Sequence, residues 1–295
     1  MTDGKAFFGF GKTDALLFLM ALIWGVNFSV VKYATEVFSP LAFTGLRVGV
    51  AAGVLLLIAS LRSQQWPSVR DMFVLVALGI LGNGVYQLLF IEGISRTRVA
   101  NAALMVAAAP AFIAVASRVG GIERVRRRTL AGVALSVSGV ALVVLGTTRG
   151  SAGMATIAGT ALVLLGVLCW TAFTVLLQPY ARRLDPVHLS ALTMLGGLLP
   201  MLVATPRALM ATDWKAVSLP AWGAVFYASV VSMVIAYLFW YRGLRVLGPT
   251  RTAVYGNLQP VIAIAVAWIF LHESPTVWQG IGTGTIMTGL FLTRS

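Results

Sequence analysis

Apolar runs of about 20 residues recur from one end of this chain to the other, and each is long enough to cross a hydrocarbon core as a helix. They fall at 13–36, 40–61, 72–94, 97–118, 129–147, 155–178, 187–205, 219–243, 249–271 and 275–293. The runs are continuous and do not alternate in period two, so a strand barrel is set aside. The sequence predicts an all-α integral membrane protein of ten transmembrane helices. Of its 295 residues 59% are hydrophobic and 11% charged, against about a quarter charged in soluble domains. The connections are too short to hold a soluble catalytic domain. The first run has no persuasive cleavage site and is read as the first span rather than a removed signal. Cys169, the single cysteine, cannot form an internal disulfide.

Lys and Arg in the loops set the orientation. With the N-terminus cytoplasmic, fifteen of them lie on the cytoplasmic side and six on the other. Both termini are therefore expected inside, in the inner membrane. The cluster Arg124, Arg126, Arg127 and Arg128 is the strongest orienting signal, and it reads as a topology and lipid-headgroup anchor. The net charge of +13 sits between apolar spans and not on a basic domain, so no nucleic-acid partner is expected.

The chain also repeats itself. Trp24 and Pro40 recur as Trp170 and Pro186, 146 residues on. Gly93, Pro110, Glu123, Gly132 and Gly139 recur as Gly243, Pro260, Glu273, Gly282 and Gly289, 150 residues on. Each half, 1–148 and 149–295, holds five spans. An odd number of spans ends on the side opposite its start, so the second repeat is predicted to be inverted. Inverted repeats with a site between them are a transporter architecture.

No catalytic motif, nucleotide loop or paired metal-binding histidines appear, so neither an enzyme nor a cofactor is expected. Without an ATP site, transport runs downhill or is coupled to an ion gradient. Polar and aromatic residues inside the spans are the candidate lining, because an unpartnered polar group in hydrocarbon costs a few kcal/mol. They are Trp24, Asn27 and Phe28 in the first span, Asn83, Tyr86 and Gln87 in the third, and Asn101 and Met105 in the fourth. The second half offers Trp170, Phe173 and Thr174, then Tyr237 and Trp240, then Tyr255, Asn257 and Gln259. Aromatic faces with a few amides suit a small amphipathic solute. Interhelix packing is the alternative for each of them.

Pro110 and Pro260 fall mid-span, as hinges or as fixed kinks. Arg47 lies seven residues into its span, about 10 Å deep, and Lys32 lies near the same membrane face. The two cations contact a carboxylate or gate the mouth; otherwise Arg47 snorkels or pairs with Glu36 or helix carbonyls. Glu123 and Glu273 are expected to cap the fifth and tenth spans. The Gly-rich fifth and tenth spans, with Gly132, Ser136 and Gly139 against Gly282 and Gly289, are expected as close-packing surfaces, including contacts between copies in a homo-oligomer.

Trp24-Gly25-Val26-Asn27-Phe28 with Lys32, then Ser39-Pro40 and Arg47, resembles the opening of EamA-type members of the drug/metabolite transporter superfamily. Pro110, Pro260, Glu123 and Glu273 match its pattern, although the second half lacks counterparts of Lys32 and Arg47. The resemblance implies ten helices with cytoplasmic termini, and export of small metabolites through a central cavity between the halves. Aromatic and neutral amino-acid exporters of the YddG type are the nearest functional analogy. A broad drug or metabolite exporter and a non-transporting membrane scaffold are the alternatives.

Overall fold

The computed structural model describes residues 11–121 and 154–294, together with 128, 131, 132, 134, 135, 138, 139, 141 and 142. The described residues are helical, joined by short loops. Seven helices are long and apolar enough to cross a membrane. In chain order the helices are α1 (Lys12–Val37), α2 (Pro40–Ser60), α3 (Val69–Arg96), α4 (Val99–Val119), α5 (Met154–Arg183), α6 (Pro186–Ala204) and α7 (Leu219–Val246). Then α8, over 249–271, is built of three pieces, and α9 (Val277–Arg294) follows. Most of the predicted span 129–147 lies outside the described residues, as do Glu123, Arg124, Arg126, Arg127 and Ser136.

Local chemistry fixes where these helices begin. Ser39 accepts the amide of Ala42 just ahead of Pro40, and Asp185 accepts that of Val187 just ahead of Pro186. Ser68 does the same for Asp71 at the start of α3. A side-chain oxygen before the first turn satisfies an orphan donor, and proline at the first position loses nothing because its missing N–H had no partner there. At 26 residues and 1.5 Å per residue, α1 is about 39 Å long.

The helices are not regular throughout. Both α3 and α7 carry a π-helical stretch, over Ile80–Val85 and Tyr227–Ile235 respectively. Neither prolines nor hydrophobic periodicity had marked these stretches. Pro110 and Pro260 do not bend a continuous helix. Each stands in the first turn of a restarted one, after a break at Ala108 in α4 and after a 3₁₀ turn, Tyr255–Leu258, in α8.

The bundle is interleaved. Helix α1 packs against α7 and α8, α2 against α6 and α7, and α3 against α5 and α6. Large apolar side chains such as Phe18, Leu57, Phe73, Leu176, Trp268 and Phe270 point outward, where lipid covers them. Lipid tails are as apolar as leucine, so burial gives helices little reason to associate, and close van der Waals contact must do so. Glycines make that contact. A Cβ added at Gly79 would sit 2.0 Å from the Thr193 carbonyl oxygen, and one at Gly196 would sit 2.0 Å from that of Val76. Helices α3 and α6 therefore touch backbone to backbone.

The predicted glycine surface of the fifth and tenth spans has its partner inside the chain: a Cβ on Gly139 would meet Ile286 Cγ1 at 2.7 Å and the Gly282 carbonyl at 3.0 Å. That contact lies within one chain, as a close-packing surface between the two spans.

Gly79→Ala and Gly196→Ala should each destabilise the protein by about 1–3 kcal/mol, the usual cost of overpacking. Gly53→Ala, whose added methyl meets open space inside helix α2, should not destabilise the protein and should gain up to about 1 kcal/mol of helix propensity. Melting temperatures of the purified protein in detergent would decide this, and equal values for all three would refute the backbone contact.

Candidate functional site

A cavity with about 60 Å³ of free space lies where α1, α2, α3, α4, α5, α7 and α8 converge. Aromatic rings form most of its wall. The Trp24 ring stands 6.1 Å from Trp170, 5.6 Å from Tyr237 and 5.6 Å from Trp240. Trp170 in turn lies 5.7 Å from Tyr237, 5.5 Å from Trp240 and 5.2 Å from Tyr86. Many of these pairs are edge-on or tilted, the arrangements that ring quadrupoles favour. Phe28 and Phe90, 5.5 Å apart, extend the wall.

The irregular stretches of helix hold these rings in place. Trp24 Nε1 donates to the Ser232 carbonyl at 3.0 Å, within the π-helical stretch of α7. From the same stretch the Tyr227 hydroxyl donates to the Ile23 carbonyl at 3.0 Å. π-helical segments recur at functional sites because they re-aim side chains and carbonyls.

The polar groups of the lining are few. Arg47 is 2% exposed. Its Nη2 donates to Gln87 Oε1 at 2.7 Å, and Gln87 Nε2 donates to the Tyr237 hydroxyl at 3.0 Å. Arg47 Nε donates to the Met233 sulfur at 3.3 Å, and the guanidinium lies 5.9 Å from the centre of the Phe43 ring. Arg47 therefore neither snorkels nor pairs with Glu36. Asn27 and Gln259 complete the polar lining with Ser232.

Eleven residues singled out from the sequence line this cavity: Trp24, Asn27, Phe28, Arg47, Tyr86, Gln87, Pro110, Trp170, Tyr237, Trp240 and Gln259. Others lie elsewhere. Asn83 is fully buried, with its Cβ against the Gly197 position of α6. Asn101 accepts from Gln279 Nε2 at 2.7 Å, tying α4 to α9. Met105 is fully buried in an apolar cluster, and Thr174 is fully buried away from the lining. Phe173 packs behind Trp170, and Pro260 is buried behind Gln259. The Tyr255 hydroxyl hydrogen-bonds the Asp14 carboxylate near the start of α1. The side chain of Asn257 lies outside the described part.

Lys32 is used structurally. Its Nζ donates to the carbonyls of Ile94, Ser95 and Thr97 at 3.2, 3.1 and 3.0 Å, closing the C-terminal end of α3. Beside it, Glu273 Oε2 accepts the Val99 amide at 2.9 Å. Glu273 thus caps the first turn of α4 in the other half of the chain, a correction to its expected place on the tenth span. Arg98 donates to the Ser274 carbonyl next to it.

The lining also includes Phe90, Val106, Ala109, Ile113, Val167, Ala253 and Gly256. These are apolar or small, and inside an apolar span they look like lipid-facing residues. The repeat held a signal for two of them: Phe90 and Ala109 stand 150 residues before Trp240 and Gln259.

Comparison with known proteins gives a consistent result. The model of the EamA-like transporter family matches this chain twice, over residues 11–145 and 157–295. The uncharacterized transporter YyaM of Bacillus subtilis is 25% identical, over 93% of this chain and 91% of its own. An uncharacterized transporter of Archaeoglobus fulgidus is 28% identical, over 96% and 98%. The uncharacterized inner membrane transporter YedA of Escherichia coli is 26% identical, over 94% and 88%. A solved structure titled "Crystal structure of protein" shares the fold, with a TM-score of 0.70 at 17% identity, covering 97% of this chain and 99% of that one.

Gln87→Leu strips a buried guanidinium of its amide partner and should cost about 1.5–3 kcal/mol, the range for hydrogen bonds to charged groups. Tyr237→Phe removes only a neutral bond and should cost about 0.5–1.5 kcal/mol. Thermal unfolding in detergent would rank the two, and the reverse order would contradict the role given to Gln87.

Proposed function

The chain belongs to the EamA-like transporter family, and from that premise we propose that it exports aromatic or neutral amino acids and related small metabolites. The proposed reaction is movement across the bacterial inner membrane by alternating access, without ATP and without covalent chemistry. The observation that carries this reading is the central cavity, walled by Trp24, Tyr86, Trp170, Tyr237 and Trp240 and dotted with amides. Rings supply large apolar contact at little entropy cost, and the amides orient the polar end of a solute.

The proposed inverted repeat, 1–148 and 149–295, gives the cavity its place. Trp24 and Trp170, equivalent by sequence, meet across it, and so do Gln87 and Tyr237. The breaks beside Pro110 and Pro260 are where α4 and α8 would bend as the site changes sides. Both termini are proposed to be cytoplasmic, from the loop charges. A broad exporter of cationic drugs fits less well, because the lining carries a cation and, among the described residues, no carboxylate.

Purified protein in liposomes should move labelled neutral or aromatic amino acids without ATP. Trp170→Ala should lower the initial rate about tenfold or more, the effect of about 1.4 kcal/mol of lost contact, with expression intact. Folded protein that moves none of a broad amino-acid panel would end the substrate proposal, and unchanged kinetics in the variant would remove Trp170 from the site.

A further inference from the structure

Arg47 is a buried charge without a counter-ion among the described residues. Its guanidinium has five N–H donors in a planar fork and stays protonated in proteins. Gln87 takes one donor, and the Met233 sulfur, a weak acceptor, takes another. Nη1 is buried and has no partner. The ion pairs among the described residues join other groups: Arg62 with Asp185, Arg96 with Glu92, Arg183 with Asp71 and His188 with Asp185. A cation at this depth is expensive, and such residues normally face a cavity or a partner. Arg47 faces the cavity.

The rest of the lining is asymmetric in what it offers. Trp240 Nε1 is a second buried donor without a partner, and Asn27 Oδ1 is a buried acceptor without one. An anionic group entering the cavity finds a full positive charge and two open donors. An ammonium group finds neutral oxygens only, Asn27 Oδ1 being the unpartnered one, and ring faces, with the Arg47 charge opposing it.

We infer that Arg47 anchors the carboxylate of the substrate, and that the cavity requires this carboxylate and does not require an amine. The ligand class is aromatic or apolar monocarboxylates, amino acids and their deaminated acids alike. One guanidinium balances one negative charge, so dianionic phosphate esters are poorly matched. The inference rests on the transport reading above and goes further in naming which end of the molecule is read.

The test is a matched ligand set on the full-length protein in lipid nanodiscs, with binding followed through the intrinsic fluorescence of the cavity tryptophans. The set is phenylalanine, 3-phenylpropanoate, phenethylamine and phenylalanine amide. Phenylalanine and 3-phenylpropanoate should bind within about threefold of each other, and the two ligands lacking a carboxylate about tenfold or more weakly, one decade per 1.4 kcal/mol. Arg47→Gln should collapse that preference for acids to within about threefold, and Arg47→Lys should keep part of it, since it retains charge without the fork.

Should Arg47→Gln fail to fold, the wild-type series decides alone. Phenethylamine binding as tightly as phenylalanine would overturn the anchor. So would 3-phenylpropanoate binding tenfold more weakly than phenylalanine. If either occurs while liposomes still move amino acids, only this inference falls. If none of the four ligands binds to folded protein and no amino acid is moved, the transport reading falls with it.

Discussion

Hydrocarbon offers a polar group no hydrogen bond and offers an apolar one no reason to leave, and this bundle is organised by both facts. The second makes close packing the main force between helices, which is why Gly79 and Gly196 bring α3 and α6 into backbone contact. The first makes every interruption of a helix an accounting problem. Here the accounts are settled by long-range side chains. Lys32 closes the end of α3, Glu273 caps the start of α4, and Trp24 takes up the Ser232 carbonyl in an irregular turn of α7. Each of these bonds links segments more than 60 residues apart in sequence, as the Lys32 bonds at separations of 62 to 65 show. These polar groups thereby also tie distant segments of the chain to one another.

The same principle explains which parts of the molecule could be read from the sequence. Apolar runs report directly on span length, so the positions of α1 to α7 were legible to within a few residues. Aromatic and amide residues are unusual inside such runs, and most of those nearest the middle of the bundle do meet at the cavity. Val106, Ile113 and Val167 were not legible, because a valine facing a cavity and a valine facing lipid have the same side chain. Asn83 and Asn101 misled for the opposite reason. Polar residues in a span need a partner, but the partner can be another helix, as Gln279 is for Asn101. The π-helical stretches in α3 and α7 left no mark in the local sequence pattern.

Arg47 illustrates how burial and chemistry must be read together. Seven residues into a span, its position alone allowed snorkelling, and nothing local decides between that and a cavity. Three-dimensional structure decides it through neighbours from two other helices, Gln87 on α3 and Met233 on α7, and through the cavity that the guanidinium lines. Gln87 also joins Tyr237, so a charge from one half of the chain reaches a phenol in the other through one amide.

The interleaving of the helices bears on how the protein is made. Helices α1, α2 and α3 find most of their packing on α5, α6, α7 and α8. A chain emerging from the ribosome presents the early helices first. They must remain in the bilayer, glycine faces uncovered and Arg47 without Tyr237 beyond its amide, until the later ones have been synthesised. The packing of the first three helices is thus complete only once the second half of the chain is present.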